Sequence, residues 1–456
     1  MDYQYWSFWL YSQSMNPKSI QEPPVSFLKK LRFLGPGFIL SASIVGSGEL
    51  IATTVLGARA GFITFWVILV SCLIKVAIQL EFGKNAIVSG RSLMQEFNQL
   101  SGPSSGKANW AVWSTFVLTS FKILQIGGMM GGAAIVLNLV LPSLPINIWL
   151  MVLGISLSLL IYKNYYRLIE KASTLMVFGF TLFTIVSLVA LFYTPFAFTL
   201  NDVRSGLTFT LPQDVVFVAI AAFGITGVAS DEIIAYTYWC QEKGYAAYVG
   251  ANDGSESWKK RARGWINIMY VDAFLAMIIY TLVTAAFYLL GAAVLYGKGA
   301  IPDGNNLINY LAAIYTESLG PGARFSYLAG AFFALYSSVF ASLAYWSRLY
   351  PDVFCELGWI RRGDEIQRKK WVGILAWAFP AIWVITYLFT RLPGFMVLSG
   401  GVVASVLLLV VVAAAIKFRA KNRGLKLTSG FGSELMFWLS AAAILAVSAY
   451  GIWKLF

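Results

Sequence analysis

Eleven stretches of this chain are apolar over about the length, roughly 20 residues, that an α-helix needs to cross a bilayer, and two of them are broken internally by glycine pairs. The stretches run over 34–58, 63–88, 110–140, 146–162, 172–195, 214–240, 266–296, 325–350, 371–390, 394–416 and 434–454. With 58% hydrophobic and only 12% charged residues, the chain is no ordinary water-soluble globule. The expected class is an all-α polytopic membrane protein, with the lipid bilayer as its first partner. The breaks are Gly46-Ser47-Gly48-Glu49, and Gly224-Ile225-Thr226-Gly227 followed by Ser230-Asp231-Glu232. Each frees backbone carbonyls and amides, which hydrocarbon tolerates only where protein buries them or a wet cavity exposes them. Each also carries ionisable groups, which at membrane depth mark ion or substrate paths. Both signals coincide twice, and together they predict a solute-binding cavity.

The net charge of +13 follows topology rather than a nucleic-acid surface. With the amino terminus inside, 26 of the 34 Lys and Arg residues fall on the cytoplasmic side, six outside, and two, Lys75 and Lys122, within helices. That is the positive-inside asymmetry. It is carried by loops such as Lys259-Lys260-Arg261-Ala262-Arg263, Arg361-Arg362, Arg368-Lys369-Lys370 and the run from Lys417 to Lys426. The expectation is a multi-pass protein of the cell (inner) membrane with a cytoplasmic N-terminus, a C-terminus outside, and no nucleic-acid partner.

Histidine is absent, which removes the commonest transition-metal ligand and the usual proton shuttle near neutral pH. Cys72 and Cys240 fall in expected helices and Cys355 in an expected cytoplasmic loop, so no disulfide framework or Cys-x-x-Cys metal site is proposed. No cleavable signal peptide is apparent in Met1 to Ser14, and Met15 is an alternative start ahead of the basic approach Lys29-Lys30-Leu31-Arg32. There is no Gly-x-x-x-x-Gly-Lys motif for a nucleotide. ATP-driven transport, an enzymatic role and a cofactor are therefore not expected.

The two broken stretches are the first and the sixth, corresponding places if the first ten helices form two five-helix halves. Paired interruptions of this kind point to an inverted-repeat secondary transporter with its site at mid-membrane. The expected organisation is a cytoplasmic segment 1–33, a first repeat 34–195, a second repeat 214–416, and one extra helix within 434–456. The loop 241–265 is expected as a cytoplasmic connector with a Gly-Ser-rich start at Gly250 to Ser257.

The run Gly35-Pro36-Gly37-Phe38-Ile39-Leu40-Ser41, continuing through the first break to Gly57-Ala58-Arg59-Ala60-Gly61-Phe62, resembles the first helix of the natural-resistance-associated macrophage protein (NRAMP) family of divalent metal transporters. The resemblance returns in Ile87-Val88-Ser89-Gly90-Arg91-Ser92-Leu93, in Ala134-Ile135-Val136-Leu137-Asn138-Leu139, in Phe223-Gly224-Ile225-Thr226-Gly227 with Tyr236, and in Asp272 near the expected start of helix seven. It implies the LeuT fold, a 5+5 inverted repeat plus one helix, and secondary transport of divalent cations. The chain departs from the family's pattern at its metal ligands. Gly46-Ser47-Gly48-Glu49 stands where the family has Asp-Pro-Gly-Asn. Asp231-Glu232-Ile233, or with a two-residue deletion Ala229-Ser230-Asp231, stands where it has Met-Pro-His. The family's acidic pair on helix three becomes approximately Ile126 and Met129.

The rebuilt site is expected to offer hard oxygens, which suit Mg²⁺ and Mn²⁺ better than Fe²⁺, Cu or Zn. Its candidate residues are Gly46, Ser47, Glu49, Gly227, Ser230, Asp231 and Glu232. Adjacent acids on a helix point about 100° apart and face one ion together only where the helix is unwound, so one of Asp231 and Glu232 is expected to be structural. Lys75, Lys122, Asp272, Ser337 and Ser338 are candidates for coupling or charge balance. A lysine in the site would stand in for a driving cation and repel Mg²⁺. The Gly-x-Gly break also resembles that of amino-acid transporters of the same fold, where half-helix amides cradle a carboxylate. The alternative solute is thus a small organic zwitterion or a polyamine. The oligomeric state is left open, a monomer included.

Overall fold

The computed structural model describes residues 20–46, 48–162, 166–425, 427 and 430–455. The alternative start at Met15, and Ser47 in the first break, lie outside the described residues. In chain order the helices are α1 (Phe27–Leu31), α2 (Pro36–Ile44), α3 (Thr54–Ala60), α4 (Phe65–Ser89), α5 (Leu93–Asn98), α6 (Trp110–Phe121), α7 (Ile123–Val140), α8 (Ile146–Tyr162), α9 (Tyr166–Ala190) and α10 (Leu200–Ser205). There follow α11 (Val216–Ile225), α12 (Ser230–Glu242), α13 (Tyr245–Val249), α14 (Glu256–Leu295), α15 (Leu307–Leu319), α16 (Ala323–Leu357), α17 (Glu365–Thr390), α18 (Pro393–Asn422) and α19 (Phe431–Leu455). Two-residue strands Ser104–Ser105 and Ala108–Asn109 pair antiparallel before α6.

Among the described residues, eight helical segments are long and apolar enough to cross a bilayer, and Ile146–Tyr162 and Phe178–Tyr193 are shorter apolar helices. The first apolar stretch is divided into α2, a π-helical turn at Gly48–Thr53, and α3. Eight segments of full length is fewer than the eleven crossings expected, because the remainder are short or broken.

Both expected breaks are present. Helix α2 stops at Ile44, and Thr53 and Thr54 return their hydroxyls to the carbonyls of Gly48 and Glu49 at 3.1 and 3.2 Å. Helix α11 stops at Ile225, Thr226 is extended, Gly227 takes the left-handed φ of 61°, and α12 resumes at Ser230. Small residues bring the helices together here. A Cβ on Gly224 would strike the Gly401 carbonyl of α18, and one on Gly291 of α14 would meet the Thr54 carbonyl of α3 at 2.5 Å. Glycine allows such backbone approach in helix bundles.

Three local expectations need correction. Helix α14 begins at Glu256, inside the expected connector, because the Ser255 hydroxyl caps it at Trp258 N and the indole of Trp258 donates to the Gly250 carbonyl at 3.0 Å. Asp272 therefore lies well inside a 40-residue helix instead of near its start. Cys355 is helical, near the end of α16, not in a loop. Helix α15 is an amphipathic piece of 13 residues, too short to register as a crossing, with Leu307, Ile308, Leu311, Ile314 and Tyr315 buried.

Candidate functional site

The second break sets the site. Because α12 restarts at Ser230, Asp231 and Glu232 fall in its first turn, where amides without intrahelical partners favour anionic side chains. Both acids border one small hollow of about 10 Å³, room for about one water-sized body. Its polar lining is completed by Gln125 of α7 and by Ser338 and Ser342 of α16, with Gly48 of the first break alongside. Ile44, Ile126, Met129 and Ile225 supply the apolar wall. A second hollow of about 20 Å³ continues from the same two acids past Ala235 and Trp239 to Leu40, Ala341 and Tyr345. Both acids border the hollow because a helix that starts there presents its first turn end-on.

Asp231 is already engaged. The Lys122 ammonium, at the junction between α6 and α7, is hydrogen-bonded to its Oδ1, and the pair is buried, with side chains 1% and 11% exposed. Glu232 Oε2 and Gln125 Oε1 have no hydrogen-bond partner among the described residues. Ser230 is fully buried, and its hydroxyl is likewise unpartnered among them. Ser338 donates to the Ala334 carbonyl at 2.9 Å and Ser337 to the same carbonyl at 3.1 Å, and only Ser338 of the two borders the hollow.

The first break contributes backbone rather than its acid. A Cβ on Gly46 would collide with the Ser338 side chain, and one on Gly48 would meet the Ile225 carbonyl at 2.9 Å. Gly48 lets the two breaks touch, and Gly46 lets the first break approach α16. Glu49 is completely buried but lines neither hollow. Its Oε1 accepts from the Thr284 hydroxyl of α14 at 3.0 Å, and its Oε2 has no partner among the described residues.

Lys75 and Asp272 serve the half-helix ends. The Lys75 ammonium donates to the carbonyls of Phe223 and, at 2.9 Å, Thr226, at the C-terminal end of α11. Ser71, one turn earlier on α4, donates to the same two carbonyls at 3.1 and 3.0 Å. Gly227 lies against that helix, since a Cβ on it would meet Cys72 Cα at 2.9 Å. Asp272 accepts from the amides of Gly35 and Gly37 at 2.8 and 2.5 Å and from the Tyr236 hydroxyl at 3.3 Å. It caps α2 and joins it to α12 through α14.

Sequence reasoning missed Gln125 and Ser342, and named Ile126 and Met129 only as departures from the family's acidic pair. Lys122, Gln125, Ile126 and Met129 recur at the i, i+3, i+4, i+7 spacing of one helical face, and Ser342 lies one turn beyond Ser338. With Met129 in the wall, the lining is not purely oxygen. Among the described residues no group of three or more His, Cys, Asp or Glu side chains is arranged to hold a metal ion.

Residues 37–454 match the family described as natural resistance-associated macrophage protein-like. The divalent metal cation transporter MntH of Listeria welshimeri is 25% identical over 314 residues, covering 65% of this chain and 64% of that protein. MntH of Caldanaerobacter subterraneus is 25% identical over 289 residues, covering 61% and 62%. The chain thus spans less than two thirds of the length of these curated relatives. Among solved structures, the Eremococcus coleocola manganese transporter in complex with an aromatic bis-isothiourea substituted compound superposes with a TM-score of 0.66 at 17% identity, covering 95% of this chain and 89% of that one. MhsT in complex with L-phenylalanine gives 0.55 at 16% identity, covering 96% and 100%. At such identities the likeness establishes the architecture, the LeuT fold.

Proposed function

From the chain's belonging to the natural resistance-associated macrophage protein-like family, we propose that it is a secondary carrier of a divalent cation, working by alternating access, with Mg²⁺ or Mn²⁺ ahead of Fe²⁺. The observation that carries this reading is the pair Asp231 and Glu232 in the first turn of α12, facing a hollow the size of one water. An ion entering there meets two carboxylates, the Gln125 amide oxygen and the hydroxyls of Ser338 and Ser342. Mg²⁺ surrenders water reluctantly and is often held by one or two carboxylates through a partly hydrated shell, so the hollow must widen to admit it. The Lys122 ammonium must leave Asp231 first.

The rest of the constellation serves movement. Asp272 links α2, α12 and α14, so that the halves of the two broken helices on that side rock as one body. The wider organisation fits two repeats, 34–195 and 214–416, with eleven crossings, the N-terminus cytoplasmic and the C-terminus outside. The cell membrane is the expected site.

One feature favours a second reading. An alkylammonium group already rests on Asp231, so a small organic zwitterion or polyamine would find a recognised place there. Uptake into proteoliposomes of Mn²⁺ and Mg²⁺, run beside amino acids and a polyamine, separates the two. Saturable divalent uptake that falls sharply in Asp231→Asn is the expected result. Saturable uptake of an organic solute alone would overturn the cation reading.

A further inference from the structure

Lys75 borders neither hollow, yet it is completely buried at the C-terminal end of α11. Its hydrogen bonds run to the backbone, to the Phe223 and Thr226 carbonyls, and its ammonium also lies 4.8 Å from the centre of the Phe223 ring. The last carbonyls of a helix carry the negative end of its dipole and lack intrahelical donors. Around the same point stand the Ser71 hydroxyl, which donates to both carbonyls, and the Thr226 hydroxyl, which donates to Ser71 at 2.9 Å. Two carbonyls and two hydroxyls at the end of a broken helix form an oxygen cradle of the kind that coordinates monovalent cations in carriers with discontinuous helices. Lys75 fills it with one positive charge on a covalent tether.

We infer that Lys75 is a built-in monovalent cation: it occupies a Na⁺- or K⁺-type site formed by the Phe223 and Thr226 carbonyls with the Ser71 and Thr226 hydroxyls, and so frees the carrier from any need for a monovalent co-ion. This deepens the proposed carrier function and, as a statement about transport, rests on it. The cradle itself is tested separately. Snorkelling is not an alternative account, because the side chain is fully buried and its hydrogen-bond acceptors are freed backbone oxygens. Shortening the side chain removes the ammonium while Ser71 still holds the two carbonyls in place, which opens a site that a free ion is able to enter.

The test uses the purified full chain in detergent. Thermal unfolding of wild type, Lys75→Ala and Lys75→Met is followed in NaCl, KCl and choline chloride at equal ionic strength. Wild type is expected to melt identically in all three salts. Lys75→Ala is expected to show a saturable rise in melting temperature in NaCl or KCl over choline, and Lys75→Met, which fills the space with an apolar chain, none. A Lys75→Ala protein that folds only in Na⁺ or K⁺ supports the assignment. One that melts alike in every salt, or fails to fold in all of them, overturns it, as does specific stabilisation of wild type by Na⁺ or K⁺. In proteoliposomes, Mn²⁺ uptake by wild type is expected to be equal in Na⁺ and choline, whereas Lys75→Ala gains dependence on the order of tenfold, within the usual range for coupling between sites. If wild type takes up neither Mn²⁺ nor Mg²⁺, the carrier reading fails on its own, and the melting experiment still decides Lys75.

Discussion

Neutralising one member of the buried Lys122–Asp231 pair should cost far more than neutralising both. The side chains are 1% and 11% exposed, so neither charge is solvated by bulk water once its partner is gone. Breaking such a pair from one side typically costs about 3–5 kcal/mol, whereas replacing both partners is often close to neutral. Lys122→Met leaves Asp231 beside Glu232 with no counter-charge, and Asp231→Asn leaves an ammonium facing only neutral groups and Glu232. Each single variant should therefore lose about 3 kcal/mol or more, and the double variant should lose no more than about 1 kcal/mol, giving a coupling of roughly 5 kcal/mol between the two residues. The assay is denaturant unfolding of the four proteins in one detergent, followed by tryptophan fluorescence. Single costs below about 1 kcal/mol, the range of an exposed pair, or losses that simply add, would refute the reasoning. A second readout bears on function. At an effective dielectric of about 20, unit charges about 4 Å apart interact by roughly 4 kcal/mol, so removing the competing ammonium should tighten Mn²⁺ binding at least roughly tenfold by calorimetry. Unchanged or weaker Mn²⁺ binding in Lys122→Met would mean that the ammonium does not compete with the ion.

Asp272→Ala should cost about 2 kcal/mol by stranding the amides of Gly35 and Gly37, and should speed hydrogen exchange at the start of α2; protection equal to wild type would show that the cap is dispensable. Gly46→Leu should abolish uptake by driving a side chain into Ser338, and the milder Gly46→Ala, costing about 1–3 kcal/mol, should be partly rescued by Ser338→Gly; normal uptake by Gly46→Leu would contradict the contact between the two. Glu49→Gln keeps an acceptor for the Thr284 hydroxyl and should preserve folding. If both Glu49→Gln and Thr284→Val transport at the wild-type rate, Glu49 has no part in the cycle.

Features set by neighbouring residues were legible in the amino-acid order. Apolar length and the glycine-rich interruptions are local properties, and they led to a polytopic helical fold and to two breaks that the structure contains. That Asp231 and Glu232 stand beside the second break was legible, but their place in the first turn of α12 appears only in the structure. The shorter amphipathic α15 and the early start of α14 escaped, because a helix of 13 residues packed on one face and a cap at Ser255 leave no long apolar signature.

The chain order by itself determined that helices one and six are interrupted and that carboxylates stand beside both interruptions, since backbone conformation at glycine depends on little beyond the residue and its neighbours. Tertiary structure alone decided the partners: Lys122 with Asp231, Lys75 with the end of α11, Asp272 with the start of α2, and Glu49 turned toward Thr284 instead of the hollow. A charge within a membrane helix must find an opposite charge or a freed backbone group, but which one it reaches depends on how each helix is rotated against helices distant in sequence. That rotation is set by packing, where Gly46 fits Ser338 and Gly224 fits Gly401, and no local pattern encodes it.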